Sequence, residues 1–292
     1  MSLPTKVSVD DLGILKGMDA TEIAANIRNK KLSVKEVIEC VRQRAEKANP
    51  VLNAIVASDY DKGASDYNTN GIFAGVPTYI KDLAHTKGFP TRSGCAGIPE
   101  MIDKKHEKAV EHVVSAGFVV VGKSATSEFG WLPSCETRLH GDTLNPVNTA
   151  YSTGGSSGGA GALVAAGVVP IAHAMDGGGS IRIPASCCGL VGLKPSRGRM
   201  LGSVTAALPI DIVAHGVLTR TVRDTANFMA AAEQYHRAKN LPEIGRVTGP
   251  SAKRLKIALP HFLADNSPAP DLAKFIQQRL DLTQTQARRL AA

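Results

Sequence analysis

Gly154-Gly155-Ser156-Ser157-Gly158-Gly159 is the first of two glycine clusters that contain serine. The second cluster, further along the chain, is Asp176-Gly177-Gly178-Gly179-Ser180-Ile181-Arg182-Ile183-Pro184-Ala185. Thirteen of the 28 glycines of the 292-residue chain lie between residues 154 and 202. Glycine is favoured where the backbone must turn sharply or come close to a ligand. Consecutive glycines beside a serine expose several backbone N–H groups around one hydroxyl, which is what an oxyanion hole next to a nucleophile requires.

Two other interpretations of these clusters fit the sequence less well. A phosphate-binding loop requires the GxxxxGK[ST] pattern, and neither cluster fits it or carries a lysine within the loop. A purely structural role, as tight turns at the ends of a sheet, accounts for one cluster but not for two that contain paired serines, Asp176 and Arg182. The clusters therefore favour a hydrolytic site.

The flanking sequence alternates between strand and helix patterns. Val76 to Ile80 is a predicted strand that delivers Lys81 and Asp82 at its end, and an apolar helix-like run follows the first glycine cluster. Aromatic residues make up only 4% of the chain, so the core must consist mainly of Val, Ile, Leu and Ala. Such alternation is typical of an α/β fold with helices on a sheet.

Two amphipathic helices are predicted before the first strand. Asp19 followed by Glu22, and Ser33 followed by Glu36, are spaced as a helix cap and its reciprocal glutamate. The second helix is expected to end at Asn49-Pro50, because proline interrupts helical hydrogen bonding.

Several separated motifs, in order, resemble the amidase signature family of serine hydrolases. These motifs are the two glycine clusters, Gly189 to Pro195, Gly75-Val76-Pro77 leading to Ile80-Lys81-Asp82-Leu83, and Asn145-Pro146. The resemblance runs from about residue 20 to residue 265. It implies an α/β fold in which a mixed central β-sheet is covered by helices on both faces. Locally, His173 to Ala185 is most similar to hydrolases of cyclic aminohexanoate dimers.

The resemblance also implies site residues. The catalytic triad falls on Ser180 as nucleophile, Ser156 as bridging acid and base, and Lys81 as distal base, with a cis peptide at Gly155-Ser156. The other implied residues are the oxyanion donors Gly177, Gly178 and Gly179, the supporting residues Ser157, Asp176 and Arg182, and the substrate-binding residues Gly130 and Trp131. No cofactor and no metal are expected.

The triad chemistry requires a neutral lysine. A serine hydroxyl is a weak nucleophile until a neighbour takes its proton, and Ser156 can relay that proton to Lys81. Because the pKa of lysine in water is near 10.4, Lys81 must lose its charge through burial. Its place at the end of an apolar strand is consistent with that requirement.

The sequence departs from the family at a few positions. Ile183 stands where the tRNA-dependent amidotransferase branch usually has Gln, which favours a stand-alone hydrolase of non-peptide amides. Family members usually continue well beyond the strand predicted at Leu255 to Leu259. We therefore expect one amidase-signature domain over residues 1–292, with a helical segment at 1–50, a catalytic core at 71–202, and a sheet that lacks its C-terminal part.

Two rival functions remain open. Gly154-x-Ser156-x-Gly158 fits the GxSxG nucleophile elbow of an α/β-hydrolase esterase, with Asp211 and His215 downstream, although the strand that an elbow needs is missing before it. The alternative to an enzyme is a truncated, inactive scaffold or subunit. Retention of Lys81, Ser156 and Ser180 argues against it.

Composition and charge limit the classes of partner that the chain is expected to bind. The net charge is +8, but residues 245–292 contribute eight Lys or Arg against three Asp, and no basic cluster is interleaved with aromatic residues. We expect a small-molecule amide substrate, no nucleic acid and no membrane, and leave a homodimer open. The five cysteines show no CxxC pair and no secretory signal begins the chain, which indicates a cytoplasmic protein.

Four further residues carry weaker signals. His173, in an apolar run, is expected to be a buried or supporting histidine rather than a catalyst. His106 and His112 lack the HExxH spacing of a zinc site. Trp131 either shapes an acyl or aryl site or covers the core.

Overall fold

The computed structural model describes residues 5–61, 67–202 and 212–249. Helices and strands alternate along them. In chain order they are α1 (Ala20–Arg28), α2 (Val34–Leu52), β1 (Ile55–Ser58), β2 (Pro77–Lys81), α3 (Lys108–Ser115), β3 (Val119–Ser124), β4 (Glu136–Thr137), β5 (Gly141–Asp142), α4 (Gly158–Ala165), β6 (Ile171–Asp176), α5 (Arg182–Cys188), β7 (Val191–Gly192), β8 (Ala214–Thr219) and α6 (Val222–Tyr235). The strand predicted at Leu255 to Leu259 lies outside the described residues.

Both N-terminal helices begin at their predicted caps. The Glu22 N–H donates to Asp19 Oδ1 at 2.9 Å. Ser33 and Glu36 form a reciprocal capping box, in which each side chain accepts from the other's backbone N–H. These bonds satisfy N–H groups that a helix start leaves without partners.

The predicted end of the second helix at Asn49-Pro50 is wrong. Helix α2 passes through Pro50 and continues to Leu52, whose side chain is fully buried. Proline removes a single N–H from the helical ladder, and burial of Leu52 offsets part of that loss. Asn53 ends the helix in the left-handed conformation, with φ of 49°.

The strands form two main sheets, one of mixed strand direction and one antiparallel. The first has the order β1-β3-β2, with β1 antiparallel and β2 parallel to β3. The second has the order β6-β8-β7, and both of its pairings are antiparallel. Helices α2, α4 and α6 pack on these strands, and α4 contacts strands of both sheets. The predicted α/β class with a mixed sheet is confirmed.

The two sheets meet where β2 lies beside β6. The Thr78 hydroxyl donates to the Ile171 carbonyl at 3.0 Å, and the Lys81 N–H donates to His173 Nδ1 at 3.4 Å. All four residues are buried. Side chains on one strand therefore bond the backbone of the other across this seam.

Helix α4 presses closely against the end of β3. A Cβ atom on Gly159 would lie 2.3 Å from the Ala125 nitrogen and 2.7 Å from the Ala54 carbonyl oxygen, so only glycine fits there. The residues Gly158 to Val164 are buried around the whole helix, as expected for a helix inside a core. The glycine-rich sequence thus brings the start of α4, and Ser156 before it, close to the strand ends.

The core has the predicted aliphatic character. Ala, Val, Ile and Leu supply most of its side chains, and the rings of Phe73 and Phe118 stack within it at 4.6 Å. Among the helices in the described ranges, none is long and apolar enough to cross a membrane. The expected single domain over residues 1–292 stays a prediction.

The seam yields a stability prediction. Thr78→Val keeps the side-chain shape but removes the donor to the Ile171 carbonyl, so we expect the free energy of unfolding to fall by about 1–2 kcal/mol. Urea unfolding followed by circular dichroism measures this. Thr69→Val, at an exposed turn position, is the control and should change stability by less than about 0.5 kcal/mol. Equal effects of both substitutions would contradict the role assigned to Thr78.

Candidate active site

Lys81 and Ser156 lie together in the interior. Lys81 is the last residue of β2, Ser156 precedes α4, and both are about 1% exposed. Lys81 Nζ is 2.6 Å from Ser156 Oγ. The Gly155-Ser156 peptide is cis, as the sequence resemblance implies. An amine and a hydroxyl at this distance can pass a proton directly.

Burial determines the charge of Lys81. It lowers the pKa of the Lys81 amine from 10.5 to about 7, against smaller opposing effects of Cys135 and Asp176. A large fraction of the amine is therefore neutral near pH 7, which is the state that can accept a proton.

The loop that carries Ser156 is attached to β6. Ser157 Oγ donates to the Met175 carbonyl at 3.2 Å and accepts from the Met175 N–H at 3.3 Å. On its other side, the Ser127 N–H donates to the Ser156 carbonyl at 3.3 Å. Ser157 thus joins the first glycine cluster to the strand that leads into the second one.

Asp176 organises the second glycine cluster. Its carboxylate accepts the Gly179 N–H at 2.8 Å and the Ile181 N–H at 3.2 Å, and the Arg182 guanidinium donates to both of its oxygens at 2.9 Å. Burial raises the pKa of Asp176, but these hydrogen bonds outweigh burial and leave the pKa below its ordinary value. Asp176 is therefore an ionised hub that folds the loop around Ser180.

Ser180 occupies the turn between β6 and α5 and is half-buried. Of the three glycines predicted as oxyanion donors, Gly177 is half-buried and Gly178 is exposed. The N–H of Gly179 points to Asp176 instead. The geometry thus commits one of the predicted donors to holding the loop.

The two predicted substrate-binding residues lie on a loop at the edge of the site. Gly130 has φ of 73°, and a Cβ atom on it would lie 3.3 Å from Ser156 Oγ. Trp131 is 84% exposed, so the alternative that it covers the core is wrong. Phe129 and Leu132 are exposed beside it. An apolar surface therefore begins directly next to Ser156.

Sequence reasoning missed two neighbours of Lys81. Cys135 is buried close enough to act on the charge of Lys81, and nothing in its local sequence indicates this position. His173 was expected to be buried, and it is; its bond to the Lys81 backbone was not foreseen. In the described parts of the chain, no group of three or more His, Cys, Asp or Glu side chains is arranged to hold a metal ion.

The local structure does not favour the nucleophile elbow. Residues 145–157, all of them described, form turns and one isolated bridge instead of a strand leading into Ser156. His215 Nδ1 lies 3.2 Å from His173 Nε2, whereas the amine of Lys81 lies against Ser156. Asp211, the third residue of the elbow hypothesis, lies outside the described residues.

Comparison with known proteins gives the same result as the motifs. The family model described as Amidase matches residues 36–287. A putative amidase AmiC of Mycobacterium tuberculosis is 46% identical over 256 residues, which cover 86% of this chain and 54% of the relative. The 6-aminohexanoate-cyclic-dimer hydrolase of Paenarthrobacter ureafaciens is 40% identical and matches 71% of this chain and 44% of its own length.

Solved structures share the fold. A bacterial aryl acylamidase of the amidase signature family superposes with a TM-score of 0.67 at 33% identity, over 73% of this chain and 47% of the acylamidase. The chain thus spans about half the length of the relatives that it matches. The predicted amidase signature fold is confirmed.

Because the ionised carboxylate of Asp176 holds the loop of Ser180, replacing it should reduce stability in a way that depends on pH. Asp176→Asn removes charge-assisted hydrogen bonds, so we expect the free energy of unfolding at neutral pH to fall by about 2 kcal/mol. Because the folded pKa of Asp176 is below its ordinary value of 3.8, the ionised form stabilises the fold above that pH and ceases to do so as the pH falls through the folded pKa. The difference in free energy of unfolding between wild type and Asp176→Asn should therefore become smaller at acidic pH.

Urea unfolding at neutral pH and at about pH 3 measures that difference. Asp142→Asn, which removes an exposed carboxylate, is the matched control and should leave stability nearly unchanged at both pH values. A gap between wild type and Asp176→Asn that stays constant with pH would contradict the ionised-hub interpretation.

Proposed function

The chain belongs to the Amidase family, and on that premise we propose that it hydrolyses the C–N bond of a small, non-peptide carboxylic acid amide through an acyl-Ser180 intermediate. One observation carries the proposal: Lys81 Nζ lies 2.6 Å from Ser156 Oγ, where burial brings the pKa of the amine to about 7. A general base works best when its pKa lies near the working pH.

Acylation begins with attack of Ser180 Oγ on the amide carbonyl carbon. Ser156 accepts the Ser180 proton while its own hydroxyl proton passes to the neutral amine of Lys81. The product is a tetrahedral intermediate, with the C–O bond formed and the negative charge on the former carbonyl oxygen. The short contact between Lys81 and Ser156 supports this route, because it requires no rearrangement of the buried pair.

Collapse of the intermediate breaks the C–N bond. Ser156 gives a proton to the departing nitrogen and recovers one from Lys81, so the amine leaves neutral and the acyl group stays on Ser180. A water molecule then attacks the acyl carbon while the same pair removes its proton. The bond between that carbon and Ser180 Oγ breaks, Ser156 returns the proton to Ser180 Oγ, and the carboxylic acid is released. Lys81 and Ser156 thereby return to their starting protonation state.

Oxyanion stabilisation is assigned to the loop after β6. We propose that the N–H groups of Gly177, Gly178 and Ser180 face the negatively charged oxygen. Gly179 joins them only if its N–H leaves Asp176. Each donor of this kind typically contributes about 10²–10³ in rate. Asp176 and Arg182 support this arrangement by fixing the turn.

The apolar edge of the site suggests the substrate class. Phe129, Trp131 and Leu132 are exposed next to Gly130, which approaches Ser156. Aromatic side chains at such an edge bind flat apolar groups. Because similar proteins include an aryl acylamidase and a cyclic-dimer hydrolase, we propose aryl, acyl or cyclic amides as substrates.

The alternative to an enzyme is a non-catalytic scaffold. A fluorophosphonate probe distinguishes the two: it should react with Ser180, and Ser180→Ala should not react. Peptide mapping also tests the esterase alternative, which predicts labelling of Ser156 that survives Lys81→Met. A folded wild type that stays unlabelled would sink the hydrolase proposal.

The pKa of Lys81 sets the pH dependence. Below pH 7 the amine is protonated and cannot accept a proton, so the rate of Ser180 labelling should rise about tenfold per pH unit and then level off above about pH 7. Labelling rates across this range measure the midpoint. Lys81→Met should remove nearly all of the rate at every pH, and Lys108→Met, at an exposed lysine of α3, should keep the wild-type profile.

Trp131 predicts a substrate preference. Removal of an aromatic wall should weaken ground-state and transition-state binding alike, so Trp131→Ala should raise KM for an aryl amide about tenfold and leave kcat almost unchanged. Steady-state kinetics with an aryl amide and a small aliphatic amide measure the contrast. Val222→Ala, at a 70% exposed apolar side chain on α6, is the control. Equal kinetics for Trp131→Ala and wild type on the aryl amide would contradict the assignment.

A further inference from the structure

Two buried histidines lie next to each other in the second sheet, and one of them contacts the backbone of Lys81. His173 on β6 is fully buried and His215 on β8 is 3% exposed. Their positions are diagonal in the antiparallel pairing, because His173 is opposite Val217 and His215 is opposite Met175. His173 Nε2 is 3.2 Å from His215 Nδ1, and the rings stack with their centres 5.5 Å apart. The proton route of the triad uses neither ring.

The His173 ring is hydrogen-bonded to β2, the strand that ends at Lys81. His173 Nδ1 accepts the backbone N–H of Lys81 at 3.4 Å, at the seam between the two sheets. The seam contact at Thr78 is three residues earlier on β2, so the His173 contact is the one at Lys81 itself. Because an acceptor nitrogen carries no proton, a neutral His173 has its proton on Nε2, which then donates to His215 Nδ1. The pair thereby defines one tautomer of His173.

We propose that His173, backed by His215, is a positioning residue that holds the end of β2 so that the Lys81 amine meets Ser156. The inference rests on the proposed function. Lys81 Nζ reaches Ser156 from a backbone position that His173 fixes from the neighbouring strand. Small displacements of catalytic groups cost large factors in rate, about a hundredfold for 1 Å.

The surroundings keep this acceptor neutral. The charged and titratable groups that face His173 are Lys81 on β2, Lys123 on β3 and His215 on β8. Burial first, and then these bases, lower the pKa of His173 well below its ordinary value. The ring therefore keeps Nδ1 available as an acceptor through the neutral pH range, which is where Lys81 acts.

The test compares His173→Phe with a matched histidine. His173→Phe should lower the rate of Ser180 labelling by a fluorophosphonate about tenfold to a hundredfold, and lower kcat more than it raises KM. Its pH midpoint should move to higher pH, because a displaced Lys81 amine regains contact with solvent. His173→Gln supplies a side-chain carbonyl oxygen as acceptor and should restore most of the rate.

His112→Phe is the control for the loss of a buried histidine. His112 on α3 is also fully buried and accepts a backbone N–H, that of Leu201, at 3.0 Å. The substitution His112→Phe should destabilise the fold about as much as His173→Phe does. It should leave the pH midpoint of Ser180 labelling at the wild-type value. A shift of the midpoint by His112→Phe as large as that by His173→Phe would overturn the proposal.

A measurement on the wild type covers the case in which His173→Phe does not fold. Long-range ¹H–¹⁵N correlation spectra report which ring nitrogen carries the proton, and His173 Nδ1 should be unprotonated across neutral pH. A proton on Nδ1, or a folded His173→Phe with wild-type rate and midpoint, overturns the inference and leaves the proposed function intact. A folded wild type that is not labelled at all rejects the proposed function itself, and with it the role of His173.

Discussion

The contact between the Lys81 amine and the Ser156 hydroxyl is the constraint on which the rest of the site depends. Both groups are buried, and an isolated ammonium in such a place is costly. Loss of the proton resolves that cost, and the pKa of about 7 reflects this balance. The site therefore needs an interior that is dry enough to make lysine a base and a frame that is rigid enough to keep a hydroxyl beside it.

Strand β6 supplies that frame. His173 holds the backbone of Lys81, Met175 is bonded through both backbone groups to Ser157, and Asp176 folds the loop of Ser180. The three attachments fall within four consecutive residues of one strand. Because β6 is also paired along its length with β8, its register fixes the relative positions of all three proposed catalytic segments. A one-residue slip would displace them together.

The sequence predicted the local features best where the physical cause is local. The caps at Asp19 and Ser33 depend on residues three positions apart, and they form as predicted. The end of α2 was mispredicted because burial of Leu52, a tertiary effect, outweighs the interruption by Pro50. The glycine clusters indicated where the site lies. The bond of His173 to the Lys81 backbone and the electrostatic effect of Cys135 on Lys81 join segments far apart in the chain, and they left no periodic signal.

At the end of β6, two electrostatic requirements of the site oppose each other. Asp176 must stay ionised to organise its loop, yet its negative charge favours the protonated form of nearby Lys81. The guanidinium of Arg182 reconciles them, because it donates to both carboxylate oxygens from the half-exposed rim and offsets the charge of Asp176. Arg182 thus stabilises the loop of the proposed nucleophile and limits how strongly Asp176 holds a proton on the base. The ion pair at the rim and the neutral amine in the interior are therefore two parts of one electrostatic arrangement.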